Sequence, residues 1–124
     1  MNAPERFRGL RVLIVEDEPV VSMFVADALE RWGFKVAGRA ARLEEAMRLA
    51  AGEGLDAAIV NVNLRGEKSF PVAACLAERG VPFVLSTGYD GLSLPDELRD
   101  RPLLNKPFGE TELLRTLRLA LAGG

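Results

Sequence analysis

The feature that most constrains this chain is a regular alternation of short apolar runs with longer stretches whose apolar residues recur at helical spacing. Arg11 to Val15, Ala57 to Val60 and Val81 to Leu85 are too short for helices and end at polar residues, the pattern of buried strands. From Pro19, a residue suited to the first helical turn, Val21, Phe24, Val25, Ala28, Leu29 and Trp32 fall on one face, and Gly33 closes the segment. Leu43, Ala46, Met47 and Ala50 mark a second helix ending near Gly52, and Val72, Ala73, Leu76 and Ala77 a third ending at Gly80. A last helix spans Thr111 to Leu121, with Leu113, Leu114, Leu117 and Leu121 inward. Phe34 to Arg39 and Leu103-Leu104 supply two further strands. The stretch from Tyr89 to Arg101 is rich in Gly, Asp and Pro and predicts a loop with at most a short helix near Pro95 to Leu98.

Strands that alternate with helices need right-handed crossovers, and continuous apolar strands need cover on both faces. The pattern therefore predicts an α/β fold, a three-layer α/β/α sandwich around a parallel sheet. At 124 residues and 48% hydrophobic content, the chain suits one core. Ligands of such sheets bind beyond the carboxyl ends of the strands, where Glu16, Asp17, Asn61, Thr87 and Lys106 all fall.

Composition removes several chemistries. The chain has no histidine, so Ser-His-Asp, Cys-His and imidazole-zinc sites are excluded, and a lone Cys75 has no disulfide partner. Cys75 reads as a small core or boundary residue. A net charge of -2 with interspersed signs offers no basic stripe for nucleic acid. No apolar run approaches the roughly 20 residues of a membrane span, and Met1 to Leu10 lacks a signal-peptide core, so a cytoplasmic protein is expected.

Four motifs follow predicted strands: Val15-Glu16-Asp17-Glu18-Pro19, Ala58-Ile59-Val60-Asn61-Val62-Asn63-Leu64, Ser86-Thr87-Gly88-Tyr89 and Asn105-Lys106-Pro107-Phe108. Taken singly, an acidic run is more often a solvated helix start, Lys106 a surface lysine and Asn61 a turn residue. In this order and spacing the chain resembles the receiver domains of bacterial two-component signalling, over about residues 9 to 122. Pro82 to Tyr89 is similar to a receiver subgroup with a Phe-Ala-Thr-Gly-x-Tyr signature. The resemblance implies a flavodoxin-like, five-stranded sheet of order 2-1-3-4-5 with residues 1–8 as a short extension, and a length that suits one core leads to the expectation of no attached effector. It also implies a stand-alone signalling module rather than an enzyme.

By the same resemblance, Asp17 is a direct magnesium ligand, Glu16 acts mainly through metal-bound water, and the Asn63 backbone carbonyl supplies another oxygen. Position 61 is the phosphoacceptor and also borders the metal. Thr87 would hydrogen-bond a phosphoryl oxygen, Lys106 would bring an ammonium beside it, and Pro107 permits a cis bond. Two residues depart from the family pattern. Asn61 stands where the acceptor aspartate belongs; an amide cannot form the mixed anhydride, and its missing charge weakens magnesium binding. Leu103, three residues before Lys106, stands where many receivers carry a switch aromatic, a role that would fall to Tyr89 if to any residue.

Two signalling readings follow: a phosphorelay receiver in an Asp-to-Asn form, natural or engineered, and a pseudo-receiver that works by protein contact without phosphate. The partner implied is a sensor histidine kinase or histidine phosphotransfer protein docking on the first helix, with the last strand and helix as an output or homodimer surface. A flavodoxin-like or nucleotide-binding enzyme is the competing class. It lacks a glycine-rich phosphate loop after the first strand, where Glu16 to Pro19 would repel phosphate.

Overall fold

The structure, a computed structural model, describes residues 7–88 and 94–123. Its elements are β1 (Arg11–Val15), α1 (Pro19–Arg31), β2 (Lys35–Ala40), α2 (Leu43–Ala50), β3 (Ala57–Asn61), β4 (Asn63–Leu64), β5 (Glu67–Lys68), α3 (Phe70–Glu78), β6 (Phe83–Thr87), β7 (Leu103–Asn105) and α4 (Glu110–Gly123). A parallel five-stranded sheet runs β2-β1-β3-β6-β7, which is the expected order 2-1-3-4-5 once the small β4-β5 hairpin is set aside.

Every residue of β3 and β6 is buried, as strands covered on both faces must be. Val12, Ile14, Ile59, Val84 and Leu104 face α1 and α4, where Val25, Leu29, Leu113, Leu114 and Leu117 complete one core. Leu13, Val15, Ala58, Val60, Phe83 and Leu85 face α2 and α3 and form a second core with Ala46, Val72 and Leu76. Each such branched side chain contributes about 1.5–3 kcal/mol by leaving water. These two layers fasten the strands at their middles, so their carboxyl ends hold fixed positions.

The boundaries differ from expectation in informative ways. The strand expected over Val81 to Leu85 lies at Phe83–Thr87, so the polar Ser86 and Thr87 that follow the apolar run belong to the sheet. Hydrogen-bonded pairing to Asn61 and Asn105 outweighs their polarity. The second strand is shifted by one, to Lys35–Ala40, with Ala37 as an extra residue against β1. Ala77 is exposed on α3, and Ala120 takes the buried place in α4 expected for Leu121, which is only partly buried. Phe7 lies within the stretch expected to be an extension, yet it is buried and stacked on Phe34 with ring centroids 6.3 Å apart.

The connection from β6 to β7 carries a 3₁₀ turn at Asp96–Leu98 among the described residues, close to the expected short helix, and Leu98 anchors it in the second core. Tyr89 lies outside the described residues. Among the described residues, no helix is long and apolar enough to cross a membrane.

The hairpin was not foreseen. Arg65 and Gly66 both have positive φ, 53° and 90°, which closes a tight two-residue turn between β4 and β5. Glycine takes this conformation freely, whereas Arg65 holds it at some cost. In return, the turn aims the Arg65 backbone N–H at the acidic loop after β1.

Candidate functional site

The site forms where β1, β3 and β7 end. Glu16 and Asp17 leave β1 as the chain turns into α1, and Asn61 is the last residue of β3. Lys106 follows β7 and precedes Pro107 through a cis peptide bond, as expected. Glu16 and Asn61 are each only 5% exposed.

The Asn61 amide is the centre of this cluster. Its Nδ2 donates to the Asn63 carbonyl at 2.8 Å, to Asp17 Oδ1 at 3.1 Å and, more weakly, to Glu16 Oε2 at 3.4 Å. The Asn61 carbonyl accepts a hydrogen bond from Ser69 Oγ at 2.6 Å, and the N–H of Val62 bonds the Ser86 carbonyl. The backbone that carries the amide is therefore held from both sides.

The charges are distributed around that amide. Lys106 Nζ donates to Glu16 at 3.0 Å and to Glu18 Oε1 at 3.1 Å. Glu18 N–H donates to Glu16 Oε2, and Arg65 N–H to Asp17 Oδ2 at 2.9 Å. Burial pushes the Glu16 carboxyl above its ordinary range, and the Glu18 N–H and the Lys106 ammonium offset only part of that. Burial opposes ionisation of Asp17 too, but there the hydrogen bonds, led by the Arg65 N–H, prevail and hold its carboxyl below the usual value. Lys106 is likewise opposed by burial, yet its bonds to Glu16 and Glu18 raise it.

Replacing Lys106 tests this balance. Lys106→Met removes the ammonium while Glu16 stays buried, and should cost about 2 kcal/mol, the scale of a charged group left without its partner. Glu16 already binds its proton more tightly folded than unfolded, and losing Lys106 strengthens that. Stability of the variant should therefore fall as pH rises through the elevated Glu16 value, more steeply than in the parent. Urea melts at about pH 5 and pH 8 measure it, and parallel losses at both values would contradict the assignment.

Of the expected site residues, the structure joins Glu16, Asp17, Asn61, the Asn63 carbonyl and Lys106 by direct hydrogen bonds or through one shared partner. Thr87, buried at the end of β6, is one residue beyond Ser86, the partner of Asn61 across the sheet, and its carbonyl accepts the Lys106 N–H at 2.8 Å. Three participants were missed. Ser69 holds the Asn61 carbonyl, Glu18 shares Lys106, and Arg65 serves through its backbone. A serine before Phe70-Pro71 looks like a helix cap, but its hydroxyl makes no cap bond. Asn63 also does more than lend a carbonyl, since its Oδ1 accepts the Gly66 N–H at 3.0 Å and pins the hairpin.

Carboxylate oxygens of Glu16, Asp17 and Glu18 come within 4.8 Å of one another. With the Asn63 carbonyl they form a set of hard oxygens suited to magnesium. Asn61 faces that set with its nitrogen.

A five-stranded parallel sheet with acidic residues at the end of β1 and a lysine before a cis proline defines a class of signalling module. The response regulator receiver domain profile matches residues 12–118, and the chain belongs to that family, with its flavodoxin-like receiver fold. It is similar to SdrG from Sphingomonas melonis Fr1, with 42% identity, 92% of this chain and 97% of that chain covered, and a TM-score of 0.81. The receiver domain of PhyR from Erythrobacter litoralis is 30% identical, with 94% and 93% covered and a TM-score of 0.81. The transcriptional regulatory protein PdtaR of Mycobacterium tuberculosis is 30% identical over 116 residues, 90% of this chain and 57% of PdtaR. The chain thus spans about half the length of the curated relatives it matches.

Proposed function

We propose that this receiver works in a two-component phosphorelay with Asn61 at the phosphoacceptor position, and that it does not accept phosphate there. The observation that carries this reading is the seating of the Asn61 amide among Glu16, Asp17 and the Asn63 carbonyl, with Lys106 on Glu16. Phosphoryl transfer to a receiver needs a carboxylate oxygen as nucleophile, and an amide nitrogen engaged as a donor to carboxylates has no electron pair to offer. Glu16, Asp17 and the Asn63 carbonyl are the residues that would hold magnesium, which supplies charge neutralisation on phosphoryl oxygens when bound. Thr87 would bind a phosphoryl oxygen and Lys106 would balance its charge. Incubation with acetyl phosphate and magnesium should leave the intact mass unchanged. A stable gain of one phosphoryl group on Glu16 or Asp17 would overturn these roles.

A second reading, a module that signals by contact without phosphate, is favoured by the internal balance of the site: among the described residues no buried side-chain polar atom lacks a partner. Leu103 supports it too. It is half-buried against the α2–α3 core, where an aliphatic side chain cannot reproduce the swing of a switch aromatic.

The partner in either reading is a histidine kinase or phosphotransfer protein that docks on α1. Val20, 79% exposed, and Met23, 55% exposed, stand on that helix beside an open groove of about 580 Å³ lined by Val21, Phe24, Lys106 and Phe108. Charge reversal at the exposed Asp27 or Glu30 should weaken capture by a cognate kinase, about threefold to tenfold for a rim charge. Unchanged binding of both variants would place the interface elsewhere. The β7–α4 edge then remains as the proposed output or homodimer surface, in a protein expected to be cytoplasmic.

A further inference from the structure

We infer that the Asn61 amide is a built-in substitute for the cation, so that amide and divalent ion compete for the same oxygens. The inference rests on the reading of Glu16, Asp17 and the Asn63 carbonyl as the ion-binding set. Those are the three acceptors within 2.8 to 3.4 Å of Asn61 Nδ2. A magnesium ion sits about 2.1 Å from each oxygen it binds. An ion drawn to these oxygens would meet the N–H groups that now donate to them, so amide and ion compete for the same electron pairs.

The arrangement divides the work of a divalent charge among fixed donors. The amide supplies two N–H groups to the centre, Lys106 covers Glu16 from one side, and the Arg65 N–H covers the outer oxygen of Asp17. None of these donors has to be recruited from solution. For an ion to enter, the amide must turn over and present its oxygen, which breaks three contacts and points its N–H groups away from their acceptors. Asn61 therefore does more than remove one ligand charge. It holds the site closed to metal and keeps the acidic cluster satisfied in its absence.

This differs from a simple loss of ligand strength. If Asn61 were only a weaker ligand than aspartate, an alanine, which offers no oxygen at all, would bind metal no better than asparagine. If the amide is a competitor, its removal frees the three oxygens. Asn61→Ala should therefore bind Mn²⁺, a paramagnetic ion that also favours oxygen ligands, at least about tenfold more tightly than the parent. Asn61→Asp should bind more tightly still, and electron paramagnetic resonance of free Mn²⁺ reads all three proteins.

Binding by Asn61→Ala no tighter than the parent, with Asn61→Asp binding well, would overturn the competition and leave the site reading standing. No binding by Asn61→Asp would overturn both. A second measurement needs no variant. In EDTA the Asn61 side-chain N–H protons should exchange with solvent at least about tenfold more slowly than those of the exposed Asn105, and saturating Mg²⁺ should remove the difference. Equal exchange of the two side chains in EDTA would equally overturn the inference, even if the alanine variant failed to fold.

Discussion

Asn61→Asp should make the protein accept a phosphoryl group from acetyl phosphate, in a reaction that depends on magnesium. The new carboxylate oxygen attacks phosphorus, the bond to the acetate oxygen breaks, and acetate leaves with the electron pair. The change is qualitative because the parent offers no nucleophile at this position, whereas Lys106 and the hard oxygens beside it are already placed. Intact-mass measurement should show a single phosphoryl group on the variant and none on the parent. Beryllofluoride, which mimics a phosphoryl group on a carboxylate, should likewise engage only the variant. An inert Asn61→Asp protein in magnesium would mean that Leu103 or another departure disables the module more deeply than one amide does.

The same substitution should destabilise the protein without metal. The amide donates to two carboxylates and a carbonyl, at 3.4, 3.1 and 2.8 Å, and an aspartate would face all three with acceptors. Two unit charges about 4 Å apart repel by about 4 kcal/mol at an effective dielectric near 20. Lys106, solvent and partial protonation should reduce the net loss to about 2 kcal/mol, or roughly 8 °C in Tm for a domain of this size. Millimolar magnesium should restore most of it, since an ion at about tenfold to a hundredfold its Kd stabilises the folded state by about 1.4 to 2.7 kcal/mol. The parent should respond little. Melts of both proteins in EDTA and in magnesium decide the matter, and equal magnesium stabilisation of the two would show that residue 61 does not border the metal oxygens.

Much of the architecture is legible in the chain because its cause is local. Apolar runs such as Ala57 to Val60 suit buried strands at that length, and the 3.6-residue recurrence from Val21 to Leu29 suits an amphipathic helix. Alternation of the two dictates a parallel sheet, and a parallel sheet gathers the residues after β1, β3 and β7 at one end. That is why the sequence alone assigns Glu16, Asp17, Asn61 and Lys106 to one site.

What only the tertiary structure decided is how these groups face one another. Sequence identifies an asparagine at position 61 but not which end of its amide points at the acids. That orientation depends on the Asn63 carbonyl and on Glu16 and Asp17, which follow β1 more than forty residues earlier, all of which favour a donor. The Arg65-Gly66 turn was equally hidden, because an arginine at positive φ contradicts its own local preference and persists only where contacts such as its N–H bond to Asp17 compensate. Ser86 and Thr87 fall outside the strand expected at Val81 to Leu85 for the same reason: their polarity is local, while the ladder that keeps them in β6 comes from Asn61 and Asn105 on strands distant in sequence. Periodicity is a property of neighbouring residues and survives in the sequence. Donor and acceptor matching across strand ends is a property of the assembled sheet, and here it alone determines that the amide nitrogen faces the carboxylates.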